Sequence, residues 1–331
     1  MEYRQLGKSD LYVSTLCVGC WVFAGESWGE QPEADSIATV HAALDSGVNF
    51  FDSAEGYGAG KSEEVLGKAL IGRRDKAIVA TKVSPNNALP ATLRDHLETS
   101  LRLLQTDYVD LYLVHWPLIG HPIAPTMALL DDLKREGKIR AIGVSNFGPE
   151  NLAELLQTGV RVDANQCGYN LLTRAVEFEV LPLCRRNGIS LTTYMPLMQG
   201  ILAGKWATVD DIPPFRRRTR HFRRDRPGTR HSGPGVEAEL IAALDELRAV
   251  AAELGQPMAD VALAWIAAQV GVASVIAGAR RPDQIERNAR GIVLRLDADA
   301  IARLNAASEP IKQKLGPNLD MWDEGEDARS R

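Results

Sequence analysis

The sequence predicts an α/β fold, a closed (β/α)8 TIM barrel. Three observations point there: eight short apolar runs in 331 residues, helix-like sequence following each run, and little polar alternation inside the runs. Strands covered by helices on both faces read as continuous Val-, Ile- and Leu-rich stretches, because neither face meets water. The same β-then-α order can also build an open, doubly wound sheet; the count of eight favours the barrel. With 45% apolar side chains the chain can fill a large core. Barrels of this kind often pass about 250 residues as one domain, so residues 1–331 are read as a single domain.

Residues 3–6 and 11–13 flank Gly7-Lys8-Ser9-Asp10, a turn-forming tetrapeptide, and read as a hairpin that plugs the barrel's N-terminal end. Barrel strands are expected at 16–19, 48–51, 77–81, 109–114, 139–144, 162–165, 189–194 and 272–277. Residues 33–46 carry apolar side chains near helical spacing and stop at Gly47, a glycine suited to a helix C-terminus. Stretches 90–104, 125–136 and 149–157 each open with proline, whose fixed φ fits a first helical turn. Ser62 is placed to cap a helix whose first turn carries Glu63 and Glu64, the charge the helix dipole favours there. The rhythm breaks after residue 194, where a long segment, 210–235, precedes helical stretches at 236–254 and 258–269. Residues 297–307 read as one more helix, followed by a polar C-terminal tail, 309–331.

Composition excludes several classes. A net charge of −5, from 38 basic and 43 acidic groups, gives no reason to expect a nucleic-acid partner. No apolar run reaches the roughly 18 residues that span a bilayer. Met1-Glu2-Tyr3-Arg4-Gln5 lacks the basic start of a signal peptide, and four cysteines make no disulfide framework. A cytoplasmic protein is expected, with no membrane or nucleic-acid partner; its oligomeric state is not legible.

In a (β/α)8 barrel, chemistry gathers where strands end and βα loops begin. Asp52 follows the second expected strand, with Tyr57 in the loop beyond; Lys82 follows the third; His115 and Trp116 follow the fourth. These groups either converge on one cluster, or Asp52 and Lys82 simply pair across a loop while His115 ends a strand. Position alone leaves both open.

Longer motifs go further. Asn49-Phe50-Phe51-Asp52-Ser53-Ala54-Glu55-Gly56-Tyr57-Gly58, then Ser62-Glu63, resembles the signature of the aldo-keto reductase superfamily. Residues 93–110, with Leu104-Gln105-Thr106-Asp107-Tyr108-Val109-Asp110, resemble its second signature. Residues 134–147, ending Ile142-Gly143-Val144-Ser145-Asn146-Phe147, then Asn165-Gln166, 194–205 and 275–288, follow in family order. The resemblance covers about residues 1–308 and is greatest to the bacterial, potassium-channel-β-like branch.

That resemblance implies a catalytic tetrad of Asp52, Tyr57, Lys82 and His115. Reducing a carbonyl needs a hydride at carbon and a proton at oxygen. Tyrosine, with an ordinary pKa of about 10, is a poor proton shuttle. A neighbouring lysine cation favours phenolate, and a shift of two to three units is worth roughly 3–4 kcal/mol. Asp52 would keep Lys82 charged, and His115 would orient the carbonyl oxygen.

The resemblance likewise implies a cofactor, NADPH/NADP+, with NAD the lesser expectation. Trp21, Ser145, Asn146, Gln166 and Tyr194 would face the nicotinamide. Pro196, Leu197, Gln199, Gly200, Leu202, Gly204 and Lys205 would wrap the pyrophosphate, and Gly278, Arg280, Gln284 and Asn288 the adenosine end. Arginine suits a 2′-phosphate because its fork binds two oxygens. Pocket walls should include Trp21, Tyr57, Trp116, Phe147 and Met198, aromatics that suit flat or sugar-like carbonyl compounds.

Other motifs are discounted. Gly56–Ser62 imitates a phosphate loop, but Glu55 occupies the position of the required glycine. Cys17 and Cys20 have metal or redox spacing without a second pair, and lie on an expected strand whose side chains alternate between faces. No carboxylates cluster with His41, His96 or His121, so no metal is expected. Residues 215–231 hold eight arginines and one acid, which makes them either a basic flap over phosphates or an anionic substrate, or a mobile surface loop.

The function expected is NADP-dependent reduction of aldehydes or ketones, reversibly oxidising alcohols, with Tyr57 as general acid. The alternatives are a cofactor-sensing subunit of the channel-β type and a metal-dependent sugar isomerase, the latter disfavoured for want of ligands.

Overall fold

A ring of eight parallel strands closes on itself, and the described residues of the computed structural model are 1–25, 28–323 and 329–330. In chain order the elements are β1 (Tyr3–Gln5), β2 (Tyr12–Ser14), β3 (Leu16–Gly19), α1 (Glu33–Asp45), β4 (Phe50–Asp52), α2 (Lys61–Ala69), β5 (Ile78–Val83), α3 (Leu93–Leu104), β6 (Val109–Val114) and α4 (Ala124–Arg135). They continue as β7 (Ile139–Ser145), α5 (Pro149–Gln157), β8 (Ala164–Gly168), α6 (Val180–Asn187), β9 (Ser190–Tyr194), α7 (Glu237–Glu253), α8 (Met258–Ala267), β10 (Val272–Gly278), α9 (Pro282–Gly291) and α10 (Ala298–Leu315). Strands β3 to β10 form the (β/α)8 barrel, sealed by β10 against β3 with Val275 opposite Leu16 and Gly278 opposite Gly19.

Alternation along each strand sorts the side chains. Val18, Phe51, Val79, Tyr112, Ile142 and Val144 point outward into the apolar layer beneath the helices. Cys17, Phe50, Ala80, Leu111, Leu113, Ala141 and Ala164 point inward. The antiparallel hairpin β1–β2 adds Leu6, Leu11 and Val13 to that inner cluster, so it plugs the end of the barrel as expected. One inward step further along the same strands come Asp52, Lys82, His115, Ser145 and Gln166. The barrel therefore has an apolar floor and, directly above it, a polar tier.

Several boundaries differ from expectation for one physical reason. Strand β4 takes in Asp52, β5 takes in Lys82 and runs to Val83, and β8 runs from Ala164 through Gln166 to Gly168. The expected strands end short of Asp52, Lys82 and Gln166, inward polar residues that remain part of the strands at the mouth. Ser62 is not a cap: Gly60, left-handed at φ 90°, starts α2, and the Ser62 hydroxyl instead bonds the Cys20 carbonyl at 2.8 Å and Ser53 at 2.9 Å. The last helix runs past the expected stop at residue 307, through Pro310 to Leu315, with Ile311 buried, so the expected tail begins as helix.

In the 210–235 segment the arginines pair largely with the protein itself. All but one of the arginines in 215–231 donate to nearby oxygens: Arg216 to Gln199, Arg217 to Val209, Arg218 to Phe215, Arg220 to Leu315, Arg223 to Asp225, Arg224 to Ser232 and Arg226 to Glu237. Phe222 and His221 are buried beneath. The charges hold the loop's own shape. Among the described residues, no helix is long and apolar enough to cross a membrane, and no His, Cys, Asp or Glu cluster could hold a metal ion.

Candidate active site

The polar tier centres on Lys82, fully buried on β5. Its ammonium donates to Asp52 Oδ2 at 2.8 Å, the Ser53 carbonyl at 2.6 Å and the Tyr57 hydroxyl at 3.2 Å. These three acceptors compensate a cation that burial alone would disfavour. Burial opposes the Lys82 charge, but Asp52 and then Tyr57 outweigh it and raise the pKa above the ordinary lysine value. Gln166 on β8 donates to the other Asp52 oxygen at 2.8 Å, so both carboxylate oxygens are engaged. The loop after β4 turns back through left-handed Gly58 and Gly60 and returns Tyr57 over the mouth.

Tyr57 is flanked by Trp21, stacked at 5.9 Å between ring centres, and by His115, edge-on at 5.7 Å. The four tetrad candidates therefore share one site. Burial, reinforced by Lys82, pushes the His115 pKa down to about 3, so the ring is neutral at physiological pH. The expected lowering of the tyrosine does not hold. Burial raises the Tyr57 pKa, Lys82 pulls it down, Asp52 raises it, and the net shift is upward. Asp52, which keeps Lys82 charged, also opposes its effect on the phenol, and burial is the largest contribution.

Beside the tetrad, the ends of β7, β8 and β9 form an amide shelf. Tyr194 OH donates to Asn146 Oδ1 at 2.7 Å, Asn146 Nδ2 to Ser145 Oγ at 3.0 Å, and Ser145 Oγ to the Gln166 carbonyl at 3.0 Å. Asn146 has φ 63°, a strained left-handed backbone that this network stabilises. An aromatic ring next to fixed amides fits a flat carboxamide-bearing ring. Further on, Pro196 and Leu197 lead into a helical turn over Met198–Ala203, and the backbone is left-handed at Gln199, Gly200 and Gly204. Such a turn allows close backbone approach by a diphosphate; Leu202 is buried beneath it and Lys205 is exposed.

Gly278 ends β10, with Gln284 and Asn288 on the helix beyond. Arg280 is not free: it donates to Gln31 Oε1 at 2.8 Å, to the Trp28 carbonyl at 2.9 Å and to the Glu30 carbonyl. Gln284 accepts from the Arg280 backbone N–H at 2.8 Å. Two wall expectations also need correction. Phe147 and Met198, each 1% exposed, are packed into the apolar layer and present almost no surface to the mouth, whereas Trp21, Tyr57 and Trp116 remain accessible.

Sequence reading missed two features. Glu55 accepts from Ser84 N at 2.7 Å and meets His96 Nδ1 at 2.7 Å, tying the Tyr57 loop to α3. Gln31 and Trp28 clasp Arg280. The tail brings Asp320, Trp322 and Arg329 back to Trp116; Trp322 amid acids already pointed to packing near the pocket mouth or against a neighbouring subunit. Residues 324–328 and 331 of that tail lie outside the described residues. The discounted motifs behave as argued: Lys61 pairs with Glu33 at 2.9 Å, and Cys17 and Cys20 are buried free thiols, their pKa values raised by burial.

Comparison with known proteins gives consistent results. The model of the aldo/keto reductase family matches residues 15–309. The aldo-keto reductase YhdN of Bacillus subtilis is 36% identical over 86% of this chain and 87% of its own length. The NADH-specific methylglyoxal reductase of Escherichia coli is 35% identical over 91% of this chain and 96% of its own. A probable voltage-gated potassium channel subunit beta of Arabidopsis thaliana is 34% identical, over 88% and 91%. Among solved structures, an aldo/keto reductase of Klebsiella pneumoniae in complex with NADP superposes with a TM-score of 0.73 at 27% identity, covering 98% of this chain and 97% of that one.

Proposed function

Because the chain belongs to the aldo/keto reductase family, we propose that it is an NADPH-dependent reductase of small aldehydes or ketones, able to run in reverse on alcohols. The observation that carries this reading is the Asp52–Lys82–Tyr57 chain of contacts beneath a neutral His115. When bound, a reduced nicotinamide supplies a hydride to the carbonyl carbon. Tyr57 donates the hydroxyl proton to the carbonyl oxygen as charge develops there. Lys82 stabilises the phenolate that remains, and Asp52 with Gln166 fixes Lys82. His115, neutral, donates a hydrogen bond to the same oxygen and orients it. Trp21 and Trp116 exclude water from the reacting face.

Asn146, Gln166 and Tyr194 would hold the nicotinamide, and the turn at 198–204 the diphosphate. Arg280 supports NADPH over NADH: three of its N–H groups are fixed by residues 28–31, and among the described residues one on each terminal nitrogen remains for a 2′-phosphate. An NADH-specific relative at 35% identity makes this preference worth measuring directly. The same reading sets the protein in the cytoplasm, where such cofactors are held.

The test follows NADPH consumption over a panel of aldehydes. Turnover is expected, and Tyr57→Phe should lower kcat by about 10²–10⁴ with cofactor affinity retained. Full activity in that variant would remove Tyr57 as the acid, and failure to bind either nicotinamide cofactor would overturn the reading. A second reading, a cofactor-sensing subunit, is favoured by the plant channel relative; binding of NADPH without any turnover would support it.

A further inference from the structure

Beyond the tetrad, the C-terminal tail adds a charged pair to the mouth of the barrel. Arg220 fixes the tail, its backbone N–H donating to Met321 at 2.8 Å and its guanidinium to Leu315 at 2.7 Å. Met321 lies over Gly168 on β8; a Cβ at that glycine would come within 2.3 Å of the Met321 Cε. Asp320 is completely buried, accepts from Trp322 N at 3.1 Å, and grips Arg329 through Nε at 2.8 Å and Nη2 at 3.2 Å. The Arg329 guanidinium carbon stands 3.7 Å from the centre of the Trp116 ring and 5.9 Å from that of Trp322.

Trp116 is the residue next to His115, so this cation lies on the substrate side of the site. A guanidinium offers two forked edges. Asp320 takes the edge made by Nε and Nη2, while Nη1 has no protein acceptor among the described residues. The arginine is 31% exposed and the aspartate 0%. The buried partner therefore holds the cation by one edge and leaves the guanidinium against Trp116 partly exposed. Stacking on Trp116 fixes the plane.

We propose that Arg329 is a specificity-determining residue that receives the carboxylate of an aldehyde or ketone substrate, with Asp320 as its positioning residue and Trp116 and Trp322 as flanking walls. This rests on the reductase reading above. The substrate class is then a carbonyl compound carrying a carboxylate a few bonds from the reacting carbon. Asp320 offsets part of the Arg329 charge, while the Nη1 donors stay available for a charge-assisted hydrogen bond to a carboxylate. The neutral His115 offers no competing positive charge.

The test compares para-carboxybenzaldehyde with methyl para-formylbenzoate, which share ring and aldehyde but differ in charge. With NADPH, the acid should show a kcat/KM at least about tenfold above the ester, expressed through KM, since one charge-assisted contact supplies about that factor. Arg329→Met should bring the ratio near one, Arg329→Lys should leave a reduced preference, and high salt should compress the wild-type ratio. Independently of turnover, benzoate should quench tryptophan fluorescence in the wild type and not in Arg329→Met. Equal kcat/KM for acid and ester in the wild type, or a preference that survives Arg329→Met, overturns the anion site and leaves the reductase reading standing. If NADPH binds and neither aldehyde is reduced, the reductase reading fails instead, and the absence of benzoate quenching would overturn the anion site separately.

Discussion

Burial keeps the Tyr57 hydroxyl protonated against the pull of Lys82, and this fixes the sign of the pH dependence. Reduction consumes the phenol, so its kcat should stay flat through neutral pH, with no basic limb below the ordinary tyrosine value of about 10. Alcohol oxidation needs the phenolate and should keep rising as pH climbs toward that value. A basic limb in reduction near pH 7–8, read from the pH–rate profile, would mean that Lys82 wins after all. Which residues gather was legible through the family motifs and not through position, which left open whether Asp52 and Lys82 only pair across a loop. What they do to one another was not. The upward shift of Tyr57 depends on desolvation, and the second Asp52 partner, Gln166, comes from a strand four places round the ring. No spacing rule encodes either.

At the scale of elements, close approach is the recurring device. Helix α2 crosses α3 at Gly67, where a Cβ would lie 2.6 Å from the Leu103 carbonyl oxygen. Backbone cannot swing aside as a side chain can, so Gly67→Ala must separate the helices. The expected cost is about 1–3 kcal/mol, visible as a fall of a few degrees in Tm with the site's geometry retained; an unchanged Tm would show that the helices tolerate the shift. Strands and most helices were readable because each has one dominant period. The 210–235 segment was not, because its arginines look alike in sequence whether they face solvent or close a loop. Arg226 lies between Asp210 and Glu237, and that pairing is long-range. Arg280 carries the same lesson: its partners Gln31 and Trp28 lie 249 and 252 residues away in sequence, in the loop after β3, the strand that pairs with β10.

For the whole molecule, half-buried His115 and buried His221, both with lowered pKa values, contribute to the response to acid. Burial lowers His115 to about 3 and His221, whose ring contacts the Leu172 carbonyl at 2.8 Å, to about 4. Both are neutral when folded and take up protons first when unfolded. Their stabilisation is complete above the ordinary histidine value of about 6.5 and is lost as pH falls toward 4. Each contributes a slope of about 1.4 kcal/mol per pH unit. Buried Glu63 and Asp163, raised by desolvation, act in the opposite sense. The His221→Gln variant isolates one contribution: urea unfolding between pH 6.5 and 4 should be flatter than wild type by one proton, and parallel curves would remove His221 from the account. The barrel seam has a further consequence. Joining Leu16 to Val275 closes a loop that contains every other barrel strand, and its entropy is recovered only when those strands are already in register. A ring has no end from which to fray. Amides on β3 and β10, at opposite ends of the sequence, should therefore exchange with solvent together, through one opening that is also the unfolding of the molecule.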